Sequence, residues 1–174
     1  MKLFKFVAIS GLVLSVASAQ ASSTLETVSH VDLGRYLGKW YEVGHYQTWF
    51  QKNCAGSTAE YSLKKNGTVR VLNTCFHTDG TTHTAKGTAK VKDKVTNSKL
   101  SVSFFWPFSG KYWIIDLGPN YEYSVVSEPK KKYLFILSRT KTIDQVTFQG
   151  ILKRLEEKGF DLSKIIFDHV PEIN

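Results

Sequence analysis

The two cysteines and five histidines are the side chains of this 174-residue chain best suited to covalent or metal chemistry. Cys54 and Cys75 could form a disulfide, stay free, bind a metal or provide a nucleophile, and a disulfide is the expected state in an exported chain. The histidines, at positions 30, 45, 77, 83 and 169, show no HExxH pattern or paired metal spacing. The sequence also lacks Gly-x-Ser-x-Gly, a Walker loop and CxxC, so we expect no metal, no cofactor and no enzyme.

The first 21 residues have the pattern of a cleaved secretory signal. Lys2 and Lys5 precede an apolar run over residues 6–14, which is too short for a membrane-spanning helix. Cleavage after Ala19 or after Ala21 leaves a single domain, residues 22–174. No cysteine lies near either position, so we expect a soluble periplasmic or secreted protein without an N-terminal lipid anchor. The net charge of +8 favours contact with anionic membranes, and an exported protein rarely meets nucleic acid.

Turn residues recur about every ten positions and predict a meander of antiparallel strands. The eight predicted strands span residues 39–46, 57–64, 68–76, 81–92, 98–106, 111–117, 122–127 and 133–139. Asn66-Gly67 is typical of a tight hairpin turn between the second and third strands, so Cys54 and Cys75 should lie at the same end of adjacent strands. The predicted buried face of the fourth strand is small and apolar and consists of His83, Ala85, Gly87, Ala89 and Val91. Such small side chains leave room in the interior.

A helical period replaces this alternation after residue 142. Thr142 to Gln145 form a predicted capping box, Gly159 predicts the end of the helix, and residues 165–167 could add one more strand. The apolar stripe of the helix consists of Ile143, Val146, Ile151, Leu152 and Leu155. Eight antiparallel strands can close into a barrel that removes exposed edges and holds one small ligand. The predicted fold is all-β: an eight-stranded antiparallel up-and-down barrel with one C-terminal α-helix packed outside.

Two short motifs link this predicted barrel to a known family. Gly38-Lys39-Trp40 begins the first strand, and Leu137-Ser138-Arg139-Thr140 ends the eighth. With the wider runs 32–43, 59–63 and 104–108, these motifs resemble the lipocalin family, in particular the bacterial outer-membrane lipocalins and apolipoprotein D, over roughly residues 30 to 168. The family's middle Thr-Asp-Tyr motif is replaced by residues 117–121, so a receptor contact through that loop is not carried over.

The resemblance implies that Trp40 and Arg139 stack beside Gly38 at the closed end of the barrel, in a structural role. Because side chains alternate along a strand, this pair also predicts which residues face inward, unless a bulge intervenes. Trp49 and Phe50 are expected at the open mouth, as a gate or a membrane-touching lip. The predicted ligand-binding residues are Glu42, Tyr46, Trp49, Phe50, Ala59, Tyr61, Val69, Val71, Ala85, Gly87, Val102, Phe104, Tyr112, Ile114, Phe135 and Leu137.

Such a lining suits a long acyl chain. The resulting hypothesis is binding and transport or storage of a fatty acid or lysophospholipid in the bacterial cell envelope. Three alternatives stay open: another apolar ligand such as a retinoid or a haem-like pigment, an enzyme of this fold acting on a lipid, and an interaction protein with a filled barrel. Glu42 would be the residue of interest for an enzyme, if it proved buried with a raised pKa. The sequence leaves the ligand and the oligomeric state, monomer or dimer, undetermined.

Overall fold

The computed structural model describes residues 24–168 and contains nine strands and two α-helices in that range. The strands are β1 (Gly38–Tyr46), β2 (Cys54–Leu63), β3 (Val69–His77), β4 (Thr82–Val91), β5 (Lys99–Phe105), β6 (Phe108–Leu117), β7 (Tyr123–Ser127), β8 (Leu134–Ser138) and β9 (Ile165–Phe167). The helices are α1 (Leu33–Tyr36) and α2 (Gln145–Glu157). The eight predicted strands are all present, while α1 was not predicted.

Strands β1 to β8 form a closed barrel. Each strand pairs antiparallel with the next, and β1 pairs with both β2 and β8. Strand β9 extends the sheet along the last residues of β1. The structure confirms the predicted up-and-down barrel, in which the β1–β2, β3–β4, β5–β6 and β7–β8 connections share one end. We call this end the open end, and the opposite end the closed end.

A β-bulge in β1 overturns one part of the predicted inward face. Glu42 pairs with Leu137 and Gly44 pairs with Ile136, so two steps along β1 match one step along β8. The extra residue reverses the alternation. As a result Tyr46 was wrongly assigned to the interior: its ring packs outside the barrel against Phe160, and its hydroxyl donates to the Asp161 carbonyl at 2.9 Å.

Helix α2 covers this outer face of the barrel. Ile151 and Leu155 are fully buried in one cluster with Val125 and Ile136, which are side chains from the outer face of β7 and β8. Gly159, with φ of +75°, follows the helix as predicted, because glycine adopts this left-handed conformation without steric cost.

The start of α2 differs from the prediction in two respects. Asp144 is the N-cap, with its carboxylate accepting from the Thr147 backbone N–H at 2.9 Å, so the Thr142 capping box is not formed. An aspartate serves this position at least as well as a threonine, and the helix therefore begins at Gln145. Val146 was expected in the buried stripe, but it is 84% exposed in the first turn.

Candidate functional site

The closed end is sealed by a cation–π stack. The Arg139 guanidinium carbon lies 3.7 Å from the centre of the Trp40 ring, and Trp40 is fully buried. Arg139 also donates to the backbone carbonyls of Arg35 at 2.6 Å and Lys39 at 3.0 Å. Gly38 has a φ of +92°, and a side chain there would approach the same guanidinium. The three residues implied by the family motifs therefore meet at one point.

A layer of phenols lies above this seal. The Tyr112 hydroxyl is 2.8 Å from that of Tyr36 and 2.9 Å from that of Tyr61, and Tyr36 also reaches Ser124. Burial raises the pKa of Tyr36 to about 12 and raises the pKa of Tyr61 and Tyr112 as well, so all three stay neutral. This phenol layer forms the floor of the open interior.

Two predicted ligand-binding residues lie in the solid core near this floor. Val69 and Ile114 are buried in the interior cluster at the closed end. They face inward, as alternation predicts, but neither lines the main cavity. Their predicted place in the lining of the main cavity is therefore wrong, because strand alternation predicts which side a residue faces but not how deep an open space extends.

The main cavity runs from the phenol layer to the open end and has a volume of about 660 Å³. This volume lies within the range of small-molecule sites in proteins. Twelve of the sixteen predicted residues line it: Glu42, Trp49, Phe50, Ala59, Tyr61, Val71, Ala85, Val102, Phe104, Tyr112, Phe135 and Leu137. A space of this size argues against a barrel filled by its own side chains.

Gly87 was also predicted to line the cavity, but Phe104 covers it. A Cβ atom at position 87 would lie 2.9 Å from the Phe104 ring, so glycine is needed for this close approach. On the same strand, His83 and Ala85 are exposed although they belong to the predicted buried face. Both line the main cavity, and their exposure reflects its opening at this end.

The cavity has two chemically different walls. Strands β1 to β4 contribute polar side chains among small apolar ones such as Ala59, Val71 and Ala85, whereas β5 to β8 contribute mainly apolar ones. The polar wall includes Glu42, Ser57, Asn73 and His83; the apolar wall includes Val102, Val126, Phe135 and Leu137. Ser57 and Asn73 were missed by the sequence analysis, although each continues an alternation already recognised, two residues from Ala59 and Val71. The arrangement suits an amphiphile better than a pure hydrocarbon.

Glu42 is the acidic group of the polar wall. Its carboxyl oxygen accepts from the Gln51 side-chain amide at 2.6 Å and lies 3.4 Å from His45 Nδ1, which in turn is 2.8 Å from Asp168. Burial, together with the nearby Asp168 carboxylate, raises the pKa of Glu42 well above its usual value. The raised pKa favours the protonated form of Glu42, and a protonated carboxyl can donate one hydrogen bond.

Asn73 carries an unpaired polar atom on the same wall. Its side-chain Oδ1 is buried and has no hydrogen-bond partner. Buried polar atoms are nearly always paired, and an exception needs an explanation. Asn73 lines the cavity, so a rotation of its side-chain amide would bring this acceptor to a bound molecule that supplies the missing donor.

The predicted disulfide joins Cys54 to Cys75 at the open end, and Cys75 lines the cavity. His77 and His83 lie beside it, with 2.7 Å between the nearest ring nitrogens. The oxidised sulfurs are not thiolates, so these four residues do not form a Cys–His metal site in this state. Both cysteines of the chain are used in the bridge, which leaves no thiol nucleophile.

The fold and the site together define a class of binding protein: a closed antiparallel barrel, sealed at one end, that encloses an apolar cavity open at the other. A family model described as a lipocalin-like domain matches residues 31–169. The chain belongs to the lipocalin family, whose members are generally binding or transport proteins.

Individual relatives agree with this assignment. The chain is 36% identical over 161 residues to the outer membrane lipoprotein Blc of Escherichia coli strain K12, which covers 92% of this chain and 91% of the relative. It is 32% identical over 144 residues to apolipoprotein D of Macaca fascicularis, covering 77% and 74%. The structure of insecticyanin from the tobacco hornworm Manduca sexta has the same fold, with a TM-score of 0.70 at 19% identity over 86% of both chains.

The name of one relative can be compared with the expected periplasmic or secreted location of this protein. The Escherichia coli relative is named an outer membrane lipoprotein, which does not support the expectation of a protein without a lipid anchor. The predicted signal segment, residues 1–21, lies outside the described residues. Within residues 24–168, none of the helices has the length and apolar character needed to cross a membrane.

Proposed function

We propose that the protein binds a fatty acid or lysophospholipid and transports or stores it in the bacterial cell envelope. The observation that carries this proposal is the 660 Å³ cavity with one apolar and one polar wall. Each buried methylene of an acyl chain contributes about 0.8 kcal/mol, so a long chain along the apolar wall supplies most of the affinity.

The polar wall provides hydrogen-bonding groups for the head group of the lipid. A protonated Glu42 can donate a hydrogen bond, and the side-chain amide of Asn73 can accept one once it turns toward the cavity, so both residues can contact a carboxyl, ester or hydroxyl group. Lys111, an exposed cation at the rim of the cavity, offers a partner for a charged carboxylate or phosphate. The alternative of a lipid-modifying enzyme that uses a thiol nucleophile has less support, because the disulfide occupies both cysteines.

The proposal is tested by loading delipidated protein with cis-parinaric acid, whose fluorescence rises in an apolar site, and displacing it with palmitate or lysophosphatidylglycerol. Ala85→Phe should weaken binding at least tenfold, because the added ring occupies the cavity. Thr84→Phe is the matched control, since it adds the same ring to the opposite face of β4. Failure of the wild-type protein to bind either lipid would exclude the proposal, and a coloured ligand in the purified protein would favour a pigment carrier.

A further inference from the structure

Large aromatic side chains surround the mouth of the cavity and are exposed to solvent. Trp106 is 92% exposed, Phe105 and Phe108 are each 77% exposed, and Trp49 is 75% exposed. Phe50 packs edge-on against Trp49, with 5.5 Å between the ring centres. These five residues, from the β1–β2 connection and from the β5–β6 hairpin with its adjoining strand ends, are called the aromatic lip.

The aromatic lip differs from the other exposed apolar residues of the described chain. Leu63, Val95 and Val146 are also exposed, as are Ile166 and Phe167 of β9, but none of these residues lines the cavity. Scattered apolar residues are normal on a protein surface, whereas a group of large ones at one site marks an interaction surface. Four residues of the lip line the main cavity, so whatever contacts the lip also contacts the entrance.

The charge around the aromatic lip is predominantly positive. Lys52, Lys111, Lys130 and Lys132 are exposed on the open-end connections or next to them. The carboxylates of these connections are Asp79 and Glu128, and Glu128 already accepts from the backbone N–H groups of Lys130 and Lys132. A basic rim around exposed aromatic rings matches the chemistry of an anionic lipid surface.

We propose that the aromatic lip docks on an anionic lipid bilayer. The indole and phenyl rings enter the boundary between head groups and acyl chains, where Trp is preferred, while the lysines contact the anionic head groups. The docked orientation turns the open end toward the bilayer, so an acyl chain passes between bilayer and cavity without crossing water. This last step rests on the proposed function; the docking itself does not.

A second copy of the chain fits the lip less well. Two copies facing each other through this surface would bring their basic rims together, and like charges at a close interface are unfavourable. An anionic bilayer instead pairs those charges and accepts the aromatic rings at the same time. The rim charge therefore selects the bilayer as the partner.

The docking is tested by co-sedimentation with phosphatidylcholine vesicles that contain 0 or about 30% phosphatidylglycerol, a range that varies the anionic surface charge. Wild-type protein should bind the anionic vesicles at least tenfold more tightly than the neutral ones. Trp106→Ser should weaken this binding at least tenfold, and Trp106→Phe should retain most of it. Val95→Ser is the matched control, since Val95 is 85% exposed but lies in the β4–β5 connection at the closed end.

The location of the contact is tested with brominated phosphatidylglycerol, which quenches tryptophans that enter the bilayer. Quenching should fall but not vanish in Trp106→Phe, because Trp49 of the lip remains while the fully buried Trp40 contributes little. Trp106 does not line the cavity. Palmitate should therefore displace cis-parinaric acid from Trp106→Ser with the same affinity as from the wild type. Transfer of the bound fatty acid to acceptor vesicles should accelerate with vesicle concentration in the wild type and become nearly independent of it in Trp106→Ser.

Each opposite result has a distinct meaning. Equal vesicle binding by wild type and Trp106→Ser would overturn the docking, whether or not a fatty acid binds. A dimer in sedimentation equilibrium that Trp106→Ser converts to a monomer would also overturn it, because the lip would then be an interface between copies. Vesicle binding without any uptake of fatty acid or lysophospholipid would leave the docking supported and would reject both the direct transfer and the proposed function.

Discussion

The closed and open ends of the barrel use aromatic residues in opposite ways. At the closed end, Trp40 is fully buried, stacks with Arg139 and donates its indole N–H to the Tyr36 carbonyl. At the open end, Trp106 and Phe105 extend into solvent. The same residue types therefore stabilise the fold at one end and remain available for binding at the other.

This difference shows how a small barrel combines stability with an empty interior. A cavity removes packing contacts, and the residues around it cannot contribute as much to stability as close-packed ones. The closed end offsets that loss with a dense cluster, and the disulfide supports the open end. Substitutions at the closed end should therefore change the free energy of unfolding most, and substitutions at the open end should change binding most.

Replacement of Trp40 by alanine should have the largest effect. Removing a fully buried indole costs about 3 to 5 kcal/mol of unfolding free energy, because it leaves a cavity and removes the stack on Arg139. Urea denaturation measures the change. Trp106→Ala is the matched control at the open end and should change stability by less than about 0.5 kcal/mol. Similar losses at the two positions would show that the ends do not differ in this respect.

Loss of the disulfide should have the second largest effect. The bridge spans a sequence separation of 21 residues, and closing a loop of this length stabilises a fold by about 3 kcal/mol, chiefly by restricting the unfolded chain. The double variant Cys54→Ala/Cys75→Ala should lose that amount in urea denaturation. A reducing agent should destabilise the wild type equally and leave the double variant unchanged. A wild type that is insensitive to complete reduction would contradict the prediction.

The cavity wall should also introduce a pH dependence of its own through Glu42. Since the pKa of Glu42 is raised on folding, stability from its neutral form is fully present below the unfolded pKa of about 4.5 and is lost as pH rises through the folded pKa. The slope is at most about 1.4 kcal/mol per pH unit. Glu42→Gln keeps the acceptor for Gln51 beside His45 and Asp168 but removes the titration.

Urea denaturation of both proteins from pH 4.5 to 8 isolates this contribution. The stability of the wild type relative to Glu42→Gln should fall as the pH rises. A difference that stays constant over the range would show that Glu42 titrates as it does in the unfolded chain.

The sequence predicts the fold better than it predicts the site, for physical reasons. Alternation and turn residues depend on the local chain, so the eight strands, the Cys54–Cys75 pairing and the inward face of most strands were predicted. The bulge that turns Tyr46 outward has no local signal of this kind, because it depends on how β1 pairs with β8. The depth of the cavity, which excludes Val69 and Ile114, depends on hydroxyl contacts among three tyrosines from α1, β2 and β6.

Substitution of two asparagines, one at each end, should change the free energy of unfolding least, but it tests the difference between the two ends most specifically. Asn97, in the β4–β5 connection at the closed end, donates its side-chain amide to the Val31 carbonyl at 3.1 Å, while Asn73 on the cavity wall has a buried Oδ1 without a partner. Asn97→Ala should therefore lower the free energy of unfolding by about 1 kcal/mol. Asn73→Leu, nearly the same shape, should raise it by about 1 kcal/mol, because an unpaired buried polar atom is unfavourable.

Ligand binding should reduce the stability advantage of Asn73→Leu over the wild type. If a bound lipid supplies the missing donor, Asn73→Leu should be more stable than the wild type when empty but should gain less stability from monopalmitoylglycerol, whose hydroxyl groups can donate. Denaturation with and without this lipid measures both quantities in one experiment. A loss of stability in empty Asn73→Leu would show that Oδ1 is already paired in solution. In that case Asn73 would stabilise the fold through a paired polar atom, as Asn97 does at the closed end. The two asparagines would then not differ in this respect.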